Sequence, residues 1–368
     1  MFKKQIIKKM TYSKQTIRAL EDIKNFETTN KITDQDLIGL NREEIYNRIL
    51  QSIKDPTINQ TKLANSNTLV QIDLTKGPTQ NHYDYVFTKL LQYDEENGKI
   101  TPGDKILETS SGSAGIAFAW ACKKLGYQSV VFTHDCLPNA RKELTKALAT
   151  EVHLGYDKTR YMEECATEMR NYFKKNNAEF KNNTGNKLWF ANHSRRFETL
   201  GCLAQIRFTL QEYIEKNNID INIFLTAIGN GSTIVGIPGL MKACNNQNMK
   251  IIGYEPFEAA KYYKENKFLH GNFEDKFLDG NKVLKNSIVA DVPGTGTLEG
   301  IEFPFNDQAV NGCLDEIIPF DKKYILEKNK SEILGKSSII AKYLTTEILK
   351  TDSNQIGACL IYDRANRY

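Results

Sequence analysis

Apolar positions change their period along the chain. Near the N-terminus, 16–26 and 34–54 carry them at helical spacing, for example Leu37, Leu40, Ile45 and Ile49. From about residue 56 short apolar runs take over. The run 69–74 predicts a strand, 76–80 a loop, and Asn81 an N-cap before a helix over 82–92. The spacing then predicts strands over 106–107, 129–132 and 151–154, separated by helices over 116–125, 139–149 and 160–174. A polar stretch, 176–187, interrupts the pattern. It resumes with a helix over 200–215, a strand over 221–227, a helix over 232–243 and a strand over 250–254. Residues 261–290 are rich in Lys, Asn and Phe and predict irregular structure. A helix over 337–349 and a strand over 357–362 close the chain. The alternation predicts an α/β protein with two doubly wound parallel-sheet units and an N-terminal helical extension, 1–55. The extension is expected to pack on its own chain.

Composition narrows the function classes. With 368 residues, 40% hydrophobic and 26% charged, the chain has room for two domains with sizeable cores. A net charge of +4, from 49 basic and 45 acidic residues, gives no reason to expect nucleic acid as a partner. No apolar run approaches a membrane span. The basic start Met1-Phe2-Lys3-Lys4 is not followed by an apolar segment, so a secretory signal is not expected. Seven cysteines without a Cys-x-x-Cys spacing, and five scattered histidines, point to reduced thiols, a cytoplasmic protein and no metal site.

Two turns carry candidate chemistry. Glu108-Thr109-Ser110-Ser111-Gly112-Ser113-Ala114-Gly115 runs from a strand into a helix on small residues. Such a turn leaves backbone N–H groups uncovered, which suits a substrate carboxylate; a plain strand-to-helix turn fits equally well. Gly229-Asn230-Gly231-Ser232-Thr233 also follows an apolar strand and opens a helix. Glycines, hydroxyls and a helix start make a phosphate cradle, although the turn lacks the lysine of a Walker motif and is not Gly-x-Gly-x-x-Gly. A simple βα turn is again the alternative.

Taken together, these stretches resemble the cysteine synthase family, within the tryptophan synthase β-like fold (fold type II) of pyridoxal-phosphate (PLP) enzymes. The resemblance runs from about 58 to 368. It rests on 59–63, on Asn97-Gly98-Lys99-Ile100-Thr101-Pro102-Gly103-Asp104, on the 108–115 turn and on 139–148. It continues through Phe190-Ala191-Asn192, Glu198-Thr199-Leu200-Gly201, the 229–233 turn and Glu255-Pro256. It implies a small mobile domain, 77–186, inserted into a larger one, 56–76 plus 187–368. The cleft between them lies at the carboxyl ends of the strands. The resemblance also implies a homodimer, substrate binding by Ser110, Ser111, Gly112 and Ala114, and cofactor phosphate binding by Gly229, Asn230, Gly231, Ser232 and Thr233.

The departures from the family pattern concern the cofactor. The position of the Schiff-base lysine is Tyr83; Asp84 keeps the following Asp, and Tyr85 replaces the Arg. Ser113 stands for the Asn that contacts the cofactor's 3′-oxygen, Trp189 for a Gln, and Arg364 for the Ser facing the pyridine nitrogen. A phenol forms no imine. A shifted register would offer Lys76 or Lys89 instead. The expected function is therefore binding of an anionic small ligand, PLP or another phosphorylated or carboxylated molecule, in the inherited cleft without a covalent aldimine. Service to a partner protein, or a non-PLP reaction using Tyr83 and Arg364, stays open. The alternative is an active β-replacement or β-elimination enzyme with a lysine from elsewhere. Trp189 is expected to add volume beside the cofactor.

Overall fold

In the computed structural model, residues 12–257 and 305–365 are described, apart from 54, 111, 156–160, 245, 258–304, 306, 307, 330 and 332. The stretch 261–290 and Ser111 thus lie outside the described residues. Two sheets organise the chain. The larger has the order β1-β2-β10-β7-β8-β9, with strands β1 (Thr57–Lys62), β2 (Thr68–Asp73), β7 (Ile223–Ala227), β8 (Lys250–Pro256), β9 (Glu316–Phe320) and β10 (Ile356–Ile361). Only β1 is antiparallel to its neighbour. The smaller sheet, β5-β4-β3-β6, is parallel throughout; its strands are β3 (Lys105–Thr109), β4 (Gln128–His134), β5 (Glu151–Gly155) and β6 (Leu188–Phe190).

Helices cover both sheets, so the central strands read as continuous apolar runs such as Val130-Val131-Phe132, all buried. Helix α4 (Tyr83–Glu96) follows β2, and α5 (Ser113–Leu125) follows β3. Almost every residue of α5 is buried, as its unbroken apolar sequence requires. Gly126 ends it in the left-handed conformation (φ 79°) that glycine adopts without a Cβ penalty. Further along come α6 (Asn139–Leu148), α7 (Tyr161–Thr184) and α8 (Phe197–Asn217).

Some expectations need correction. The polar stretch 176–187 is helical as far as Thr184, because Met169, Phe173 and Phe180 line one face of α7 against the smaller sheet. Strand β6 pairs with β3, so the smaller sheet continues past the expected boundary at 186. The helix expected over 232–243 is divided into α9 (Ser232–Ile234), a π turn Val235–Gly239 containing Pro238, and α10 (Leu240–Cys244). Strand β9 was not foreseen; Pro319 is tolerated there because β9 is an edge strand. The chain closes through α11 (Lys322–Lys328) and α12 (Lys336–Ile348), the latter packed on β10. No helix among the described residues is long and apolar enough to cross a membrane. None of the seven cysteines forms a disulfide, and the described residues contain no cluster of His, Cys, Asp or Glu suited to a metal.

The N-terminal helices α1 (Lys14–Thr29), α2 (Asp34–Leu37) and α3 (Arg42–Ser52) pack on the same chain. Ser13 and Thr16 bond to Glu143 on α6, and Trp120 on α5 donates its indole N–H to Glu27 at 2.9 Å. From α3, Arg42 makes two bonds of 2.7 Å to Glu95 at the end of α4, and the Tyr46 and Tyr127 hydroxyls donate to the same carboxylate. Burial pushes the Glu95 carboxyl up, but Arg42 and the two tyrosines outweigh it and hold the pKa below its ordinary value. A lowered folded-state pKa stabilises the fold above the ordinary carboxylate range, and that contribution is lost as pH falls through the lowered value. Glu95→Gln should therefore cost about 1–3 kcal/mol at neutral pH, the usual worth of hydrogen bonds to a charged group. Urea midpoints measure it, and the gap between variant and wild type should close on acidification.

Candidate functional site

Five chain segments meet at the carboxyl ends of the strands, where α/β sheets place their ligands. They are 74–82 after β2, Ser110 and Gly112 after β3, 191–196 after β6, 228–231 after β7 and 362–365 after β10.

Tyr83 opens α4, its backbone N–H held by Asn81 Oδ1 at 2.9 Å. Its half-buried ring contacts three others: His82 at 4.1 Å, His193 edge-on at 5.3 Å and Phe87 at 6.1 Å between centroids. Burial, with Tyr362 and Glu108 nearby, pushes the phenol up to about 12. It is a neutral hydrogen-bond donor at pH 7, and its pKa has moved away from that of a base. Next to it His82 is buried, and neither of its ring nitrogens has a hydrogen-bond partner. Burial, then His193, lowers it to about 3, so it is a neutral imidazole. On its other side lies a groove formed by Ile53, Leu74, Tyr85, Ile206 and Thr209.

Both turns singled out in the sequence satisfy part of their own donors. Ser110 Oγ accepts the N–H groups of Gly112 (3.1 Å) and Gly115 (2.7 Å), and Thr133 donates to the Ser110 carbonyl. In the other turn, Asn230 Oδ1 accepts the Ser232 N–H (3.0 Å) and hydroxyl (2.7 Å), an Asx turn. Gly231 takes a φ of 85°, which disfavours any side chain there. Beside it Gly229 faces open space: an added Cβ would meet nothing within 4 Å. Ser113 and Ala114 form the first turn of α5, and Thr233 lies half-buried in α9.

Arg364, Lys76 and Arg141 face carboxylates. Arg364 Nε bonds Thr75 Oγ1 and its Nη2 bonds Asp73 Oδ2, both at 2.6 Å, at the end of β2. Lys76 Nζ lies 3.3 Å from the same Asp73 oxygen. Buried Arg141, from α6, lies against the Gly112 backbone, where an added Cβ would stand 3.0 Å from Nη1. Its Nη2 is 3.5 Å from Asp363 Oδ2, joining the two sheet units. Lys89 bonds Gln92 at 3.1 Å on its own helix. Trp189 does not join this group. Its indole N–H needs an acceptor when buried, and Asp94 supplies one at 3.0 Å, eleven residues along α4 from Tyr83. That is about 16 Å at the helical rise. The expected extra ring volume beside the cleft is thus directed elsewhere.

The family model described as "Pyridoxal-phosphate dependent enzyme" matches residues 58–305. The chain belongs to this family. A cysteine synthase of Staphylococcus aureus is 29% identical over 186 residues, 49% of this chain and 54% of the relative; the match thus spans about half the length of that protein. A cysteine synthase of Buchnera aphidicola is 25% identical over 297 residues, 80% of this chain and 85% of the relative. Among solved structures, O-acetyl serine sulfhydrylase isoform 3 from Entamoeba histolytica superposes with a TM-score of 0.63 at 20% identity, covering 90% of this chain and 92% of that one. The fold of this PLP-family member is the tryptophan synthase β-like, type II fold expected from the sequence.

Sequence reasoning passed over Glu108, Arg141, His193, Ser194 and Asp363. Glu108, in the strand sequence Lys-Ile-Leu-Glu-Thr, carried a signal: a carboxylate inside a parallel strand is buried and must find partners. The contacts of Arg364 make a direct prediction for this PLP-family protein. Burial is the largest influence on the Asp73 carboxyl and raises its pKa, but Thr75, Arg364 and Lys76 together hold it below the ordinary value. Arg364→Ser should raise the Asp73 titration midpoint, followed by carboxyl-carbon NMR. An unmoved midpoint would show that Arg364 is not its partner in solution.

Proposed function

We propose that this chain binds an anionic, phosphorylated or carboxylated small molecule in the cleft of its family without forming an aldimine. Tyr83 carries the reading. The residue that opens α4 at the cleft ends in a half-buried, neutral phenol. PLP is held in this family by a lysine amine, and it supplies an electron sink once that link is made. The nearby amines fit the role poorly: Lys76 faces Asp73, which Arg364 shares, and Lys89 faces Gln92. The chain is read as a pseudoenzyme toward PLP chemistry, in a cytoplasmic homodimer. The open face at Gly229 and the left-handed Gly231 support anion binding at the 229–233 turn.

Two experiments test the reading. After incubation with PLP and reduction by borohydride, peptide mass spectrometry should find no pyridoxyl group on a single cleft lysine. A stoichiometric adduct on Lys76 would favour an active β-replacement or β-elimination enzyme with a relocated anchor. Inorganic phosphate should raise the melting temperature of the wild type, since a ligand that binds only the native state stabilises it. Gly231→Asp, adding bulk and like charge, should abolish that rise; an undiminished rise in the variant would make the turn purely structural.

A further inference from the structure

A directional chain of polar contacts crosses the cleft from the 229–233 turn to the smaller sheet. Ser232 donates its N–H and hydroxyl to Asn230 Oδ1. A backbone N–H only donates, so the Asn230 amide cannot be turned over, and its NH2 must face Ser194. Asn230 Nδ2 lies 3.2 Å from Ser194 Oγ. That hydroxyl lies 3.1 Å from His193 Nε2. His193 Nδ1 lies 3.1 Å from Glu108 Oε2, with its N–H angled off that oxygen. Catalytic hydrogen bonds often tighten only once a ligand is bound.

One proton arrangement fits the donor and acceptor order of this chain of groups. Asn230 donates to Ser194, Ser194 donates to Nε2, and Nδ1–H faces the carboxylate. The frame is fixed by other bonds. Glu108 also accepts the backbone N–H of His193 (3.0 Å) and of Thr109 (2.8 Å), and Thr199 donates to the His193 carbonyl at 2.7 Å. Asn192, in the left-handed region at φ 51°, starts the tight turn that puts His193 and Ser194 side by side. The Tyr83 ring closes the imidazole edge-on. Glu108 and His193 are buried, whereas Ser194 is half-buried.

We infer that Ser194, His193 and Asn230 form a nucleophilic site, with Glu108 as positioning residue, that hydrolyses small carboxylic esters bearing an anionic group. Ser194 Oγ bonds to the ester carbonyl carbon while His193 Nε2 takes its proton. Asn230 Nδ2 donates to the oxygen that gains the negative charge, as a side-chain amide does in an oxyanion hole. The carbon–alkoxide bond breaks and His193 protonates the departing alcohol. Water then bonds to the acyl carbon, its proton passing through His193 to Ser194 Oγ as the carbon–Oγ bond breaks and the acid leaves. The anionic group rests on the proposal that the cleft binds anions; the serine nucleophile stands without it.

The test treats the purified full chain with an uncharged fluorophosphonate, which transfers its phosphonyl group to an activated serine oxygen as fluoride and the proton leave. Peptide mass spectrometry should place one adduct on Ser194. Ser194→Ala, which removes a single hydroxyl, should carry none. His193→Gln should label about a hundredfold more slowly or worse, the usual worth of a general base. Asn230→Ala should slow labelling by about the same factor while melting cooperatively. Inorganic phosphate should slow the wild-type reaction. A folded wild type left unlabelled at Ser194, or unchanged rates in both His193→Gln and Asn230→Ala, overturns the nucleophile. Labelling at Ser194 that phosphate leaves unchanged overturns the anionic substrate class alone.

Discussion

The architecture of the cleft depends on one buried carboxylate. Glu108 lies next to the end of parallel strand β3 with 2% of its surface exposed. Its two oxygens must be satisfied inside the protein, because an unpaired buried charge costs several kcal/mol. They accept the backbone N–H groups of Thr109 and His193, and the His193 imidazole Nδ1 lies 3.1 Å away. The bond to His193 ties β3 to the segment between β6 and α8. That segment in turn sets Ser194 against Asn230, so the smaller sheet is joined through polar contacts to the turn that follows β7.

Around this frame two guanidinium groups face carboxylates. Arg364 serves Asp73, and Arg141 serves Asp363. Tyr83 and His82 are both neutral near pH 7, one pushed up and the other down by burial. What remains is an aromatic, uncharged wall at the start of α4, faced by hydroxyl and amide groups. Such a wall differs from a site built around a lysine ammonium.

Much of this was legible in the sequence. The two glycine-containing turns, the helical extension and the parallel strands announce themselves through small residues and apolar period. Trp189 shows where sequence position falls short of placement: its neighbour in β3 is fixed by register, yet its indole follows the nearest acceptor, Asp94. Helix α7 hid its apolar face at 169, 173 and 180 among lysines and asparagines, and a short apolar run with Pro319 did not announce an edge strand. The Glu108–His193–Ser194 contacts join residues more than eighty positions apart, and only the pairing of β3 with β6 brings them together.

The central claim is that the cleft works without a lysine-bound cofactor. An electron-density map of crystals grown from protein purified without added cofactor tests it most directly. The account predicts the Tyr83 ring packed between His82 and His193, with no covalent link running from a lysine into the cleft. Continuous density joining Lys76 Nζ to a pyridine ring would contradict it.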